Sequence, residues 1–235
     1  MQKTTVIIIP GGGYDHRSAR ESGPVADVFA GYGYETHILE YPVAPVRYPA
    51  QINALAQVIA NLRRSDTDAG RQWRRIYLLG FSAGGHLAAS YCTYWRELFG
   101  DDIYRPDGQI LCYPVISSGK YAHRQSFINL LGPDASEEFF DKLSVEKHVN
   151  SGVPRTFIWH CLADESVPAE NSMLYAQALR EFGIEAELHL FSGGRHGISL
   201  GTARSARDEG DICPQAAVWT SLAHEWISAE NRIRK

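Results

Sequence analysis

The stretch RIYLLGFSAGGHLA, residues 75–88, joins a short apolar run to a run rich in alanine and leucine through Gly80-Phe81-Ser82-Ala83-Gly84. Its pattern predicts a buried strand over Arg75–Leu79, a tight turn, and a helix over Ala83–Trp95. A serine on such a turn sits in strained backbone geometry. Its neighbours must lack side chains so that the chain can bend and a second strand can approach. The hydroxyl then stands at a helix N-terminus, where the Ala83 amide can face an oxyanion. Ser82 is therefore the candidate nucleophile.

Two other stretches agree with that reading. Upstream, Thr5–Ile9 (TVIII) reads as a strand and runs directly into Pro10-Gly11-Gly12-Gly13-Tyr14. Consecutive glycines expose backbone N–H groups, and a loop of this kind beside a nucleophile completes an oxyanion hole. Downstream, a serine nucleophile needs a base and an orienting carboxylate, in the order Ser, Asp/Glu, His, each after a strand. The strand Thr156–His160 is followed by Cys161-Leu162-Ala163-Asp164-Glu165, and the strand Glu185–Phe191 by Ser192-Gly193-Gly194-Arg195-His196-Gly197. His196, in a glycine-rich loop, is the candidate base. Asp164 and Glu165 are the candidate acids. His86, His160 and His189 read as packing or hydrogen-bonding residues, and His148 and His224 as surface or core-edge residues.

Further strands are expected at Glu35–Leu39 and Gln109–Tyr113, and helices at Val25–Tyr32, Pro49–Arg64, Ala169–Phe182 and Ala216–Ile227. Strands alternating with helices predict an α/β fold with a mainly parallel sheet covered on both faces. The chain has 235 residues. At about 150 residues per domain, and with no linker or repeat in view, one domain over 1–235 is the expectation. Segments 115–154 and 201–214 interrupt the alternation and read as loops or a small cap.

Composition narrows the function classes. Hydrophobic residues at 44% and charged residues at 21% exclude whole-chain disorder. A net charge of −4 argues against a basic nucleic-acid-binding face. No apolar run approaches the roughly 20 residues of a membrane span. The run Val6–Ile9 stops at Pro10, too short for a secretory apolar core of about 7–15 residues. The reading is a cytoplasmic protein, or one from which a leader has been removed. Cys92, Cys112, Cys161 and Cys213 are far apart and form no CxxC pair, so buried reduced thiols are expected. No HExxH or comparable spacing occurs, and neither metal nor cofactor is expected.

PGGGY, the stretch YPVAPVRYP at residues 41–49, GFSAGGHLA, LSVEKHV, DESVPAENS and GGRHG together resemble the α/β-hydrolase superfamily. Within it they are similar to the bacterial acetyl esterase/lipase-like group related to acetyl xylan esterases. The resemblance spans nearly the whole chain. It implies Ser82 as nucleophile, Asp164 as acid, His196 as base, and the amides of Gly12, Gly13 and Ala83 as oxyanion hole. Asp164 is preferred over Glu165 because Val167-Pro168 then opens the next helix at the spacing of the related enzymes. Where hormone-sensitive-lipase-like relatives carry HGGG, this chain has Pro10 before its three glycines. The first strands and N-terminal cap of the larger relatives are not expected, which implies an open site. The implied activity is hydrolysis of short acyl esters, acetyl above all, of small alcohols including sugars and xylo-oligosaccharides. Aryl-formamidases and dipeptidyl-peptidase-like enzymes share the triad and supply the alternative activity. Tyr14 is a candidate substrate contact. The last helix, with Trp219 and Trp226, is a candidate contact for a homo-oligomer.

Overall fold

The computed structural model describes residues 2–233. Six strands, β1 (Thr4–Ile9), β2 (Glu35–Ile38), β3 (Arg75–Phe81), β4 (Gly108–Cys112), β5 (Thr156–Cys161) and β6 (Ala186–Phe191), form one parallel sheet in the order β2-β1-β3-β4-β5-β6. The inner strands are apolar on both faces, as a sheet covered on both sides requires. Successive residues divide between two cores. Ile7, Ile9, Ile76 and Leu78 enter one, and Val6, Ile8, Tyr77 and Leu79 the other. The edge strands β2 and β6 are only half-buried and carry Glu35, His37, Glu187 and His189.

Helices α2 (Ala50–Asp68), α3 (Ala83–Phe99) and α6 (Glu170–Glu181) cover the first core, and α1 (Gly23–Gly31) and α8 (Trp219–Ile233) the second. The segment 115–154 contributes α4 (Arg124–Leu131) and α5 (Glu137–Lys142), which bury Phe127, Leu130 and Phe140 against the α2/α3 layer. The last helical region is split. A short α7 (Pro214–Ala217) begins at its proline and is followed by the longer α8. Trp219 and Trp226 are 0% and 4% exposed and pack on the sheet, so they are core residues and not the expected contact surface. All four cysteines are buried free thiols. Among the described residues no helix is long and apolar enough to cross a membrane.

Strand order locates the site. From β1 the chain passes to β2 on one side, and from β3 to β4 on the other. The crevice at the C-terminal ends of β1 and β3 is thus a topological switch point, where open α/β sheets bind ligands. Ile9 pairs with Gly80 in this register, so the glycine loop after β1 and the serine turn after β3 leave the sheet side by side.

Candidate active site

Ser82 occupies the turn between β3 and α3 with φ 51° and ψ −119°. Its backbone is pinned at both ends: its amide donates to the Cys112 carbonyl at 3.0 Å, and its carbonyl accepts from Val115 N and His86 N at 3.1 Å each. The turn depends on close backbone contacts. A Cβ on Gly80 would lie 2.4 Å from the Gly84 carbonyl oxygen, and one on Gly84 would lie 2.1 Å from that of Ile9. No side chain fits at either position, so these glycines are steric requirements.

The loop after β1 is held from three sides. Gly11 N donates to Glu21 Oε2 at 2.8 Å, the Gly12 carbonyl accepts from Asp15 N at 3.0 Å, and Asn129 Nδ2 donates to the Gly13 carbonyl at 2.8 Å. Gly12 and Gly13 border the cleft with Ser82. Among the described residues no acceptor meets the amides of Gly12, Gly13 or Ala83. Tyr14 does not line the cleft as expected. Its side chain is buried and its hydroxyl lies 2.8 Å from His86 Nδ1. His86 Nε2 faces the Leu143 carbonyl at 2.8 Å, which can only accept. Nε2 therefore carries the proton and Tyr14 donates to Nδ1. Burial pushes the His86 pKa down to about 4. This pair braces the interior behind the loop.

Ser82, Asp164 and His196 come together from three loops. Ser82 Oγ is 2.8 Å from His196 Nε2, and His196 Nδ1 is 2.6 Å from Asp164 Oδ2. A carboxylate only accepts, so Nδ1 donates and Nε2 is left to receive the serine proton. Asp164 Oδ1 accepts from Ser166 N at 3.0 Å and Val167 N at 2.9 Å. Burial by itself raises the Asp164 pKa, but hydrogen bonds from His160 and His196 outweigh it and hold the carboxyl well below the usual range. Glu165 is exposed and borders an outer groove beside Arg195, whereas Asp164 is the carboxylate that meets His196.

Sequence reading placed His160 among packing residues and did not connect it to this cluster. His160 Nε2 faces the Val167 carbonyl at 2.8 Å and Asp164 Oδ2 at 3.3 Å, while Nδ1 meets Ser172 Oγ at 2.8 Å. The His160-to-Asp164 spacing of four was the local signal. Tyr113 was also missed. Its ring meets the His196 ring edge-on at 5.1 Å, and its hydroxyl donates to Glu21 Oε1 at 2.6 Å. Glu21 thus links the glycine loop to the support of His196. No local pattern marks that link.

The cleft over Ser82 measures about 460 Å³. Every residue lining it is glycine, polar or charged; His16, His123, Gln125, Asn129 and Arg207 form much of its wall. His123 opens α4, and burial together with the nearby His196 lowers its pKa. A larger hollow of about 780 Å³ between α6 and β6 contains none of these residues.

The sequence profile of the alpha/beta hydrolase fold family matches residues 6–200. Over 210 residues the chain is 30% identical to endo-1,4-beta-xylanase B of Butyrivibrio fibrisolvens, covering 85% of this chain and 33% of that protein. It is 28% identical over 212 residues to the acetylxylan esterase of Xylanibacter ruminicola, covering 84% and 41%. The chain therefore spans between a third and about two fifths of the length of these curated relatives. Among solved structures, the acetyl ester-xyloside bifunctional hydrolase from Caldicellulosiruptor lactoaceticus superposes with a TM-score of 0.86 at 36% identity, covering 98% of this chain and 84% of that one. The carboxylesterase Cest-2923 from Lactobacillus plantarum superposes with a TM-score of 0.87 at 28% identity, covering 98% and 87%.

Proposed function

The chain belongs to the alpha/beta hydrolase fold family, and from that premise we propose that it is a serine carboxylesterase acting on short acyl esters, acetyl above all, of hydroxyl-rich alcohols such as sugars and xylo-oligosaccharides. The observation that carries the reading is the chain of contacts from Ser82 Oγ to His196 Nε2 and from His196 Nδ1 to Asp164. In the proposed reaction His196 Nε2 takes the Ser82 proton as Oγ attacks the ester carbonyl. The amides of Gly12, Gly13 and Ala83 receive the oxyanion. One such donor is typically worth about 10²–10³ in rate. The imidazolium then protonates the departing alkoxide and the acyl group stays on Ser82. Water, deprotonated by His196, attacks the acyl-enzyme, the carboxylic acid leaves, and the proton returns to Oγ.

Cleft chemistry supports the choice of substrate. A buried CH₂ contributes about 0.8 kcal/mol, so a long-chain esterase needs an apolar trough. No aliphatic or Phe-type side chain lines this cleft, and its hydroxyl, amide, imidazole and guanidinium groups can hydrogen-bond an alcohol with several hydroxyls. Relatives named acetylxylan esterase and acetyl ester-xyloside hydrolase support the acetyl preference. A p-nitrophenyl ester series, run beside acetylated xylo-oligosaccharides, tests both halves. kcat/KM is expected to be highest at acetyl, to fall steeply beyond about four carbons, and to be accompanied by acetate release from the saccharides. An optimum at about eight carbons or longer would sink the short-chain half. No acetate from any acetylated saccharide would sink the sugar half. Preference for aminoacyl-anilides or formyl-kynurenine would move the enzyme to the amidase class.

A further inference from the structure

The loop bearing His196 has little backbone support of its own. Among the described residues, no loop or turn hydrogen bond between backbone groups involves residues 192–197. Two guanidinium groups reach its carbonyls instead: Arg207 Nη2 donates to the His196 carbonyl at 3.1 Å, and Arg20 Nη2 to the Gly197 carbonyl at 2.9 Å. Both arginines are anchored on Asp211, which is 0% exposed. Its carboxylate accepts from Arg207 N, Nε and Nη2 and from Arg195 Nε at 2.8 Å each, and from Arg20 Nη1 at 3.2 Å. Burial raises the Asp211 pKa, and the Arg207 hydrogen bonds more than reverse it, so the group stays ionised.

We propose that Asp211 is a positioning residue that fixes the His196 loop by orienting Arg207 and Arg20 against its carbonyl groups. The inference rests on the reading of His196 as the base. The planar fork of each arginine joins a carboxylate and a carbonyl at once, a geometry that lysine cannot reproduce. Released from the clamp, the imidazole samples positions away from Ser82. A displacement of about 1 Å at a reacting group costs about 10²-fold in rate.

The test uses Arg207→Ala, Arg207→Lys and Asp211→Asn, with Arg204→Ala as control because Arg204, in the same segment, pairs instead with exposed Asp27. Arg207→Ala is expected to lower kcat on p-nitrophenyl acetate by about 10–100-fold with KM within about threefold of the parent. Added guanidinium should restore part of that loss, and Arg207→Lys should not match the parent. Hydrogen–deuterium exchange of the hydrogen-bonded amides of Ser199, Leu200 and Gly201, which follow the loop, should accelerate in Arg207→Ala, while that of 80–88 stays slow. Asp211→Asn leaves three guanidiniums around a neutral amide; if it fails to fold, the Arg207 variants still decide. A parental kcat in Arg207→Ala, unchanged exchange of the Ser199, Leu200 and Gly201 amides, or a rise in KM at constant kcat would each overturn the inference, the last by making Arg207 a substrate contact. Absence of esterase activity and of fluorophosphonate labelling in the wild-type chain would instead overturn the reading of the site itself. That outcome appears before any variant is made.

Discussion

The serine turn and the histidine loop meet across a single hydrogen bond, yet they are held by different forces. Around Ser82, backbone packs on backbone: the Ser82 amide and carbonyl are both hydrogen-bonded, and Gly80 and Gly84 leave no room for even a Cβ. Around His196, side chains supply the support: Asp164 and the Tyr113 ring on the imidazole, and Arg20 and Arg207 on the main chain. The first arrangement is rigid because close-packed atoms cannot move independently. The second is a set of charge-assisted hydrogen bonds, individually strong and individually removable. The difference teaches where each kind of damage falls: at the turn, deleting the hydroxyl removes chemistry without loss of fold whereas added atoms strain the packed backbone, and at the loop, losing a charged tie costs geometry and acid stability.

The largest effects should come from removing the Ser82 hydroxyl and neutralising the Asp164 carboxylate. Ser82→Ala is expected to cut kcat by about 10⁴-fold or more and to abolish fluorophosphonate labelling, with an unchanged melting temperature because the backbone holds the turn. Asp164→Asn should cost about 10³–10⁴-fold, since the imidazole loses its orienting partner and preferred tautomer. It should also lower stability, because Asp164 accepts from His196 Nδ1, Ser166 N and Val167 N and so ties the histidine loop to the end of β5. Glu165→Gln should cost far less. If Glu165→Gln costs more than Asp164→Asn, the acid must be reassigned. If Ser82→Ala keeps more than about a thousandth of the parental rate, Ser82 is not the nucleophile.

Next in size is a steric contrast between two glycines. A Cβ on Gly84 meets backbone oxygens at 2.1 and 2.5 Å, and neither can move without disturbing β1. Gly84→Ala should therefore destabilise by about 3 kcal/mol or more, which is a fall of about 6–12 °C in Tm for a domain of this size. A Cβ on Gly193, in the histidine loop, meets the flexible end of Gln215 at 3.4 Å and Cys213 Sγ at 3.9 Å, no closer than ordinary contact. Gly193→Ala should stay within about 1 kcal/mol of the parent. Equal losses in thermal denaturation would erase the distinction between the two regions.

That same distinction explains what the sequence made legible. The pattern that marks the serine turn lies within residues 75–88, so strand, turn and helix could be read from contiguous letters, while Cys112 and Val115, which also pin the turn, come from farther along the chain. The parallel sheet followed from short apolar runs that alternate with stretches of helical spacing. Ser82, Asp164 and His196 could be singled out because each lies in a turn or loop that follows a strand. The anchoring of His196 was not legible: Arg20 and Asp211 are separated by 191 positions, and nothing local to either forecasts their meeting. Tyr14 was misread for a related reason. Proximity to the glycine loop in sequence suggested the cleft, whereas a φ of 59° and the hydrogen bond to His86 turn its ring into the core. Trp219 and Trp226 seemed available on a terminal helix because only the assembled sheet shows which face of α8 is covered.

The smallest effect should be the response to acid, and it should fall unevenly on the two regions. Asp164 and Asp211 both have pKa values held well below the usual carboxylate range by hydrogen bonds from histidine and arginine. Asp66, at the other end of the sheet, is lowered to about 2, chiefly by its hydrogen bond with Arg74. A carboxylate depressed in the folded state contributes stability that is fully present above its unfolded value, near pH 4, and is lost as pH falls through the folded value. Denaturation midpoints should therefore be insensitive to these groups between pH 7 and about pH 5 and should decline below about pH 4. Protonation of Asp164 and Asp211 releases the two carboxylate anchors of the histidine loop, whereas no carboxylate holds the Ser82 backbone. Hydrogen exchange at about pH 3, corrected for intrinsic rates, should show residues 192–211 losing protection before residues 80–92. Simultaneous loss in both segments would mean that the loop has no independent acid-sensitive anchorage, and that the backbone of the serine turn is no more robust than the charged ties facing it.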